Sequence, residues 1–225
     1  MSTVRPVSTV RIATVRAIEQ FGVIGVIRLK VAGRLQSVVG ALAAGGVRAL
    51  EVTMTVPGAV DLIRQLAPTL PEGFLLGAGT VLDADTARAV IDAGASFVVS
   101  PVLRPDVIQV CHKREVVAVP GCFSPTEILN AYEQGADIVK VFPSTSLGPA
   151  FIKDVLGPLP HLKLMPTGGV TIENAGAWIS AGAVAVGLGS ALVSAADVEH
   201  DRFEAITDNA RRVVAAVAGA RSKRP

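Results

Sequence analysis

Two ionisable residues stand where ionisable residues are seldom tolerated. Lys140 lies near the end of the apolar run Ala136-Asp-Ile-Val-Lys-Val-Phe-Pro143, and Glu51 lies inside Arg48-Ala-Leu-Glu-Val-Thr53. Lysine and glutamate are almost never fully buried unless paired or functional. Desolvation drives an ammonium towards the neutral amine, the form that attacks a ketone. A carboxylate in the same surroundings is held nearer its protonated form and can relay protons between an amine and a substrate hydroxyl. From the pattern alone two readings of Lys140 stand level: a nucleophilic amine, or a lysine that snorkels to the rim of the fold or pairs with a carboxylate. Glu51 is equally a proton relay or half of a structural ion pair, and a buried pair with Lys140 satisfies both.

Other groups offer to hold an anion. Pro166-Thr-Gly-Gly-Val170 and Gly187-Leu-Gly-Ser190 follow the seventh and eighth apolar runs. Small residues let backbone N–H groups approach a phosphate, and helix N-termini after each loop would add favourable partial charge. Either loop alone is also explained as a tight turn. Arg28 closes the first apolar run with a guanidinium fork suited to carboxylate or phosphate, or is simply a surface charge. Thr80 ends Gly77-Ala-Gly-Thr80, where it offers a hydroxyl to a carboxylate or leads into the helix after Asp83. His112, His161 and His200 lack partners at ligand or triad spacing and read as structural or exposed. No HxxxH or carboxylate cluster argues for a metal, and no cofactor is implied.

These groups need elements to place them, and the chain alternates short apolar runs with amphipathic stretches. Strands are predicted at 23–28, 49–53, 75–79, 97–100, 116–119, 138–142, 162–165 and 183–187. Helices are predicted at 10–20, 32–44, 58–66, 84–93, 105–113, 125–132, 149–156, 172–180 and about 201–217. Asp83, Ser124 and Thr171 stand at N-cap positions, and Gly45, Gly94, Gly135 and Gly182 where helices end in a left-handed residue. Eight βα units of roughly two dozen residues make a (β/α)8 TIM barrel with an extra N-terminal helix, whose reactive groups belong at the C-terminal strand ends. The alternative, an open doubly wound sheet, calls for a Gly-rich dinucleotide turn after the first strand. Arg28-Leu-Lys-Val-Ala-Gly33 is not one.

The 225 residues are half apolar, 18% charged and 4% aromatic, as expected of parallel strands covered on both faces. No linker splits them, so one domain over 1–225 is expected. A net charge of +2 spread among interspersed acids and bases gives no nucleic-acid partner. The charge-free stretch 174–196 approaches the length of a membrane span. It carries glycines and changes period from helix to strand, so no membrane segment is read there. Cys111 and Cys122 lack metal-ligand spacing and read as reduced thiols of a cytosolic protein. The start, 1–20, has no signal core, which fits a cytoplasmic location.

Seven pieces, in order, resemble the 2-keto-3-deoxy-6-phosphogluconate / 4-hydroxy-2-oxoglutarate aldolase family: Leu50-Glu-Val-Thr53, Gly77-Ala-Gly-Thr-Val81, Ser100-Pro101, Pro120-Gly-Cys122, Val139-Lys-Val-Phe-Pro143, Pro166-Thr-Gly-Gly-Val170 and Gly187-Leu-Gly-Ser190. The resemblance implies a metal-independent class I aldolase, usually a homotrimer, that acts on a small keto acid. It implies Lys140 as the Schiff-base lysine and Glu51 as the general acid/base. Thr80, Pro101, Phe142 and Thr167 would line a pyruvate pocket, and Gly168, Gly169, Gly189 and Ser190 would hold a distal phosphate. Many phosphogluconate-type members carry an arginine four residues beyond the glutamate, where this chain has Thr55. Galactonate-type members carry one at the end of strand one, as Arg28 does, and a Phe-Pro-Ser like Phe142-Pro-Ser144. Two rivals remain: a phosphosugar epimerase or synthase on a related barrel, and a non-catalytic sugar-phosphate-binding barrel. Neither has use for an imine-forming lysine.

Overall fold

The computed structural model describes residues 9–30 and 32–223, so residues 1–8 of the stretch read for a signal core lie outside it. The chain runs α1 (Thr9–Phe21), β1 (Val23–Ile27), α2 (Leu35–Ala44), β2 (Ala49–Thr53), α3 (Ala59–Leu66), β3 (Leu75–Gly79), α4 (Ala84–Asp92), β4 (Phe97–Val99), α5 (Pro105–Lys113) and β5 (Val117–Val119). It continues with β6 (Gly121–Cys122), α6 (Pro125–Glu133), β7 (Val139–Val141), α7 (Gly148–Leu156), β8 (Leu164–Pro166), α8 (Ala175–Ser180), β9 (Val186–Leu188), α9 (Ala195–Glu199) and α10 (Phe203–Arg221). The result is an α/β fold with a curled parallel sheet. Pairing runs in the order β5-β4-β3-β2-β1-β9, a second set runs β6-β7-β8, and a parallel bridge joins Thr167 to Gly187.

Several expectations shift when folded. One predicted strand, 116–119, is followed by a second short one, β6, because Pro120 has no N–H for a ladder; its carbonyl still accepts from the Lys140 N–H at 2.9 Å. The left-handed residue after α2 is Gly46, with φ 89°, whereas Gly45 stays right-handed at φ −85°. Asp83 and Ser124 cap α4 and α6 as expected, Ser124 in a reciprocal capping box with Glu127. Thr171 caps an isolated turn instead: its Oγ1 accepts from the Asn174 N–H, and α8 begins only at Ala175.

Strand side chains alternate between faces, and this period of two builds the site. Ile24, Ala49, Phe97, Val99, Val117, Val119, Ile138, Met165 and Ala185 form one inner core with Val15 and Ile18 of α1. That helix therefore covers the N-terminal end of the curled sheet. Two residues further along the chain, on the same inward face, stand Val26, Glu51, Lys140, Thr167 and Gly187. The other core lies between the outer sheet face and the surrounding helices.

Candidate active site

Lys140 is 2% exposed and Glu51 1% exposed, and among the described residues neither joins an ion pair. Both carboxylate oxygens of Glu51 lack a hydrogen-bond partner. Burial pushes the Glu51 carboxyl above its ordinary range, against the pull of Lys140 and Arg28, which favour the carboxylate. Burial likewise pushes the Lys140 ammonium below its ordinary range; Glu51 opposes this and Arg28 adds to it. Each group thus feels the other's charge across one interior without direct contact. The Lys140 Nζ lies 4.8 Å from the ring centroid of Phe142, where the aromatic face favours a cation. A buried amine whose charged form is disfavoured and a buried carboxyl whose charged form is disfavoured suit carbonyl attack and proton transfer.

Beside Phe142, whose ring lies against Lys140, opens a cavity of 90 Å³ lined by Val26, Arg28, Phe142, Thr167, the Gly168–Gly169 turn and the Gly189–Ser190 turn, and neither Lys140 nor Glu51 lines it. Arg28, Phe142, Thr167, Gly168, Gly169, Gly189 and Ser190 are therefore brought together around one cavity. Thr167 is buried, and its Oγ1 has no partner, which leaves a free donor or acceptor beside the cavity. Gly168 and Gly169 adopt φ of 81° and 75°, a conformation side chains resist, so the turn needs glycine twice. The expected helix N-termini do not abut these loops. The helices open further on, at Ala175 and Ala195, which leaves Arg28 and backbone amides as the groups suited to an anion.

Thr80 and Pro101 do not line this cavity. Thr80, with a left-handed φ of 59°, follows the last residue of β3, and Pro101 packs its carbonyl against Gly121 after β4. Thr55 hydrogen-bonds Thr53 at 2.6 Å, and Thr53 donates to the Ile27 carbonyl at 3.2 Å, so this corner ties β2 to β1 without a cation. Ser144, which the sequence offered only as part of the Phe142-Pro-Ser144 marker and with no role of its own, is 1% exposed and donates to the Val141 carbonyl at 2.7 Å, pinning the turn after Phe142. Its position directly after Phe142-Pro143 was the available signal.

A separate polar group joins α1 to the chain around Asp137 and Lys163. Asp137 accepts from Arg11 at 2.9 Å and lies 3.7 Å from His112, and Lys163 pairs with Glu19 at 2.8 Å. Cys111 and Cys122 are free and buried, and burial raises both thiols to about 12, far from the reactive thiolate. No described helix is long and apolar enough to cross a membrane.

A family model described as KDPG and KHG aldolase matches residues 15–209. Over 135 residues the chain is 43% identical to 2-dehydro-3-deoxy-phosphogluconate aldolase of Pseudomonas aeruginosa, a match spanning 60% of this chain and 61% of that protein. Over 158 residues it is 35% identical to 2-dehydro-3-deoxy-6-phosphogalactonate aldolase of Escherichia coli K12, covering 70% and 77% of the two chains. The KDPG aldolase of Legionella pneumophila, solved with pyruvate captured at low pH as a covalent carbinolamine intermediate, matches with a TM-score of 0.82 at 30% identity. That match covers 88% of this chain and 97% of the other.

Proposed function

This chain belongs to the KDPG and KHG aldolase family, and from that footing we propose that it is a class I aldolase which cleaves a 2-keto-3-deoxy-6-phospho sugar acid, of gluconate or galactonate type, to pyruvate and glyceraldehyde 3-phosphate. 4-Hydroxy-2-oxoglutarate, giving pyruvate and glyoxylate, is a second substrate of the same chemistry. The observation that carries this is a lysine almost wholly buried without an ion-pair partner, sharing its interior with a carboxyl that has no hydrogen bond. Such a placement is costly to hold for binding alone.

In the proposed reaction the neutral Lys140 amine attacks the C2 ketone to give a carbinolamine. Glu51 moves the proton that lets water leave, and the protonated imine becomes an electron sink. Glu51 then accepts the C4 hydroxyl proton, the C3–C4 bond breaks and the aldehyde departs. The electron pair left on C3 forms an enamine, which takes a proton at C3 before water releases pyruvate and the amine. Positioned proton transfer of this kind contributes about 10²–10⁴-fold.

Phe142 and Thr167 face the pyruvate half, with Thr80 and Pro101 at its far margin. Gly168, Gly169, Gly189 and Ser190 take the distal phosphate, and Arg28 serves as the anion contact where the family arginine is replaced by Thr55. Arg28 and the Phe142-Pro-Ser144 turn support the galactonate type. No metal or cofactor enters. The finer architecture proposed is one domain over 1–225, an eight-stranded barrel closed through the Thr167–Gly187 bridge and the Pro120 carbonyl with α1 as an added N-terminal helix, assembled as a cytoplasmic homotrimer. Borohydride reduction in the presence of pyruvate tests the chemistry. The expected result is a covalent adduct on Lys140; no adduct, or turnover that survives Lys140→Ala, refutes it.

A further inference from the structure

No described protein group hydrogen-bonds the buried Glu51 carboxyl, yet proton transfer needs it aimed. What bounds Glu51 is shape. Strand β3 lies beside β2, with Glu51 opposite Gly77 and Thr53 opposite Gly79. Leu75, Gly77 and Gly79 take the same face as Glu51, and the two glycines leave two notches. A Cβ at Gly77 would fall 2.2 Å from the Phe97 ring, so that notch serves packing. A Cβ at Gly79 would fall 1.8 Å from the Glu51 Oε1 and 2.5 Å from its Cδ, so the carboxyl itself occupies the second notch. Unlike Gly168 and Gly169, Gly79 does not adopt a positive φ, so its backbone would accept any residue. Glycine is required there only for the space.

We infer that Gly79 is a positioning residue for the proton relay: its bare Cα is the seat that directs the Glu51 carboxyl within the interior it shares with Lys140, where no described protein group hydrogen-bonds it. This rests on the Schiff-base reading above, which makes the direction of that carboxyl matter. A methyl at position 79 must move Oε1 by more than about 1 Å, a displacement that costs about 10²-fold when it separates a group from its reacting partner. Lys140 stands on a different strand and stays in place, so imine formation is slowed but not lost.

The experiment is a double-mutant cycle with Gly79→Ala, Glu51→Gln and the pair, read by borohydride trapping with pyruvate and by kcat for pyruvate release. Gly79→Ala is expected to trap pyruvate while kcat falls about 10²-fold with KM little changed. In the Glu51→Gln background the same substitution should lower kcat by less than about threefold, because the relay it acts through is already gone. Wild-type kcat in Gly79→Ala, or equal losses in both backgrounds, overturns the inference while a trapping wild type leaves the aldolase reading standing. A wild type that does not trap pyruvate overturns both. If Gly79→Ala alone fails to fold, Gly79→Ala/Glu51→Ala should fold, since removing the carboxyl frees the notch for the methyl; failure of that pair also overturns the inference.

Discussion

Replacing Lys140 by methionine should abolish the reaction and stabilise the protein. Lys140 is 2% exposed without a direct ion pair, and burial outweighs the attraction of Glu51 in setting its charge, with Arg28 adding repulsion. The folded lysine therefore holds its proton less tightly than the unfolded one, whose ordinary value is 10.5. Between the lowered folded value and 10.5 the unfolded chain binds more protons, so wild-type stability rises with pH through that window, by at most about 1.4 kcal/mol per pH unit for one group. Methionine has similar length and no polar atom. Relieving the desolvation of a polar group is worth about 1–3 kcal/mol. In a domain of this size each kcal/mol moves Tm by about 2–4 °C. Glu51, deprived of its nearby cation, is pushed further up by the same burial. Thermal scans of both proteins at neutral pH should show the variant melting higher, with the gap closing as pH approaches 10.5. A direct structural ion pair would behave oppositely, losing about 3–5 kcal/mol when one partner is removed. A lower Tm for Lys140→Met, or a gap indifferent to pH, would refute the assignment of Lys140 as a desolvated, functionally retained amine.

Three further outcomes are expected. Glu51→Gln should lower pyruvate release by about 10²–10⁴-fold while leaving slow borohydride trapping detectable by intact mass, and wild-type turnover would remove Glu51 from the mechanism. Arg28→Leu should raise KM for a phosphorylated keto acid by about 10–100-fold, the worth of hydrogen bonds to a charged group; a steady-state KM within about twofold of wild type counts against the anion contact. Ser124→Ala removes the cap of α6 and should cost about 0.5–2 kcal/mol in denaturant titration.

Much of the fold was legible because local chemistry and tertiary packing agree. The runs at 49–53 and 75–79 and the helix at 105–113 coincide with β2, β3 and α5. Where the two diverge, a single atom decides. Pro120 lacks an N–H and splits a run of apolar residues into β5 and β6. Gly45 and Gly46 are interchangeable in a one-dimensional pattern, but Gly45 packs against α10, where a Cβ would fall 2.3 Å from that of Ala210, so the left-handed residue is its neighbour. The short α9 went unread because a five-residue helix carries too little periodicity to stand out.

The candidate site was legible for a different reason: it breaks the rules the fold obeys. Lys140 and Glu51 contradict the apolar runs around them, and such a contradiction is the sequence signature of a group retained for chemistry. Gly79 shows where this signal ends. Gly77 and Gly79 are the same residue on the same face of one strand, two positions apart, and nothing in the pattern separates them. Only the neighbours do: an aromatic ring fills one notch and a carboxyl fills the other. A residue that acts by lacking a side chain leaves no chemical mark in its own identity, so its role becomes visible only when the atom occupying the vacated space is known. In this protein that atom belongs to the proposed proton relay, which is why the steric question at position 79 and the chemical question at position 51 have to be tested together.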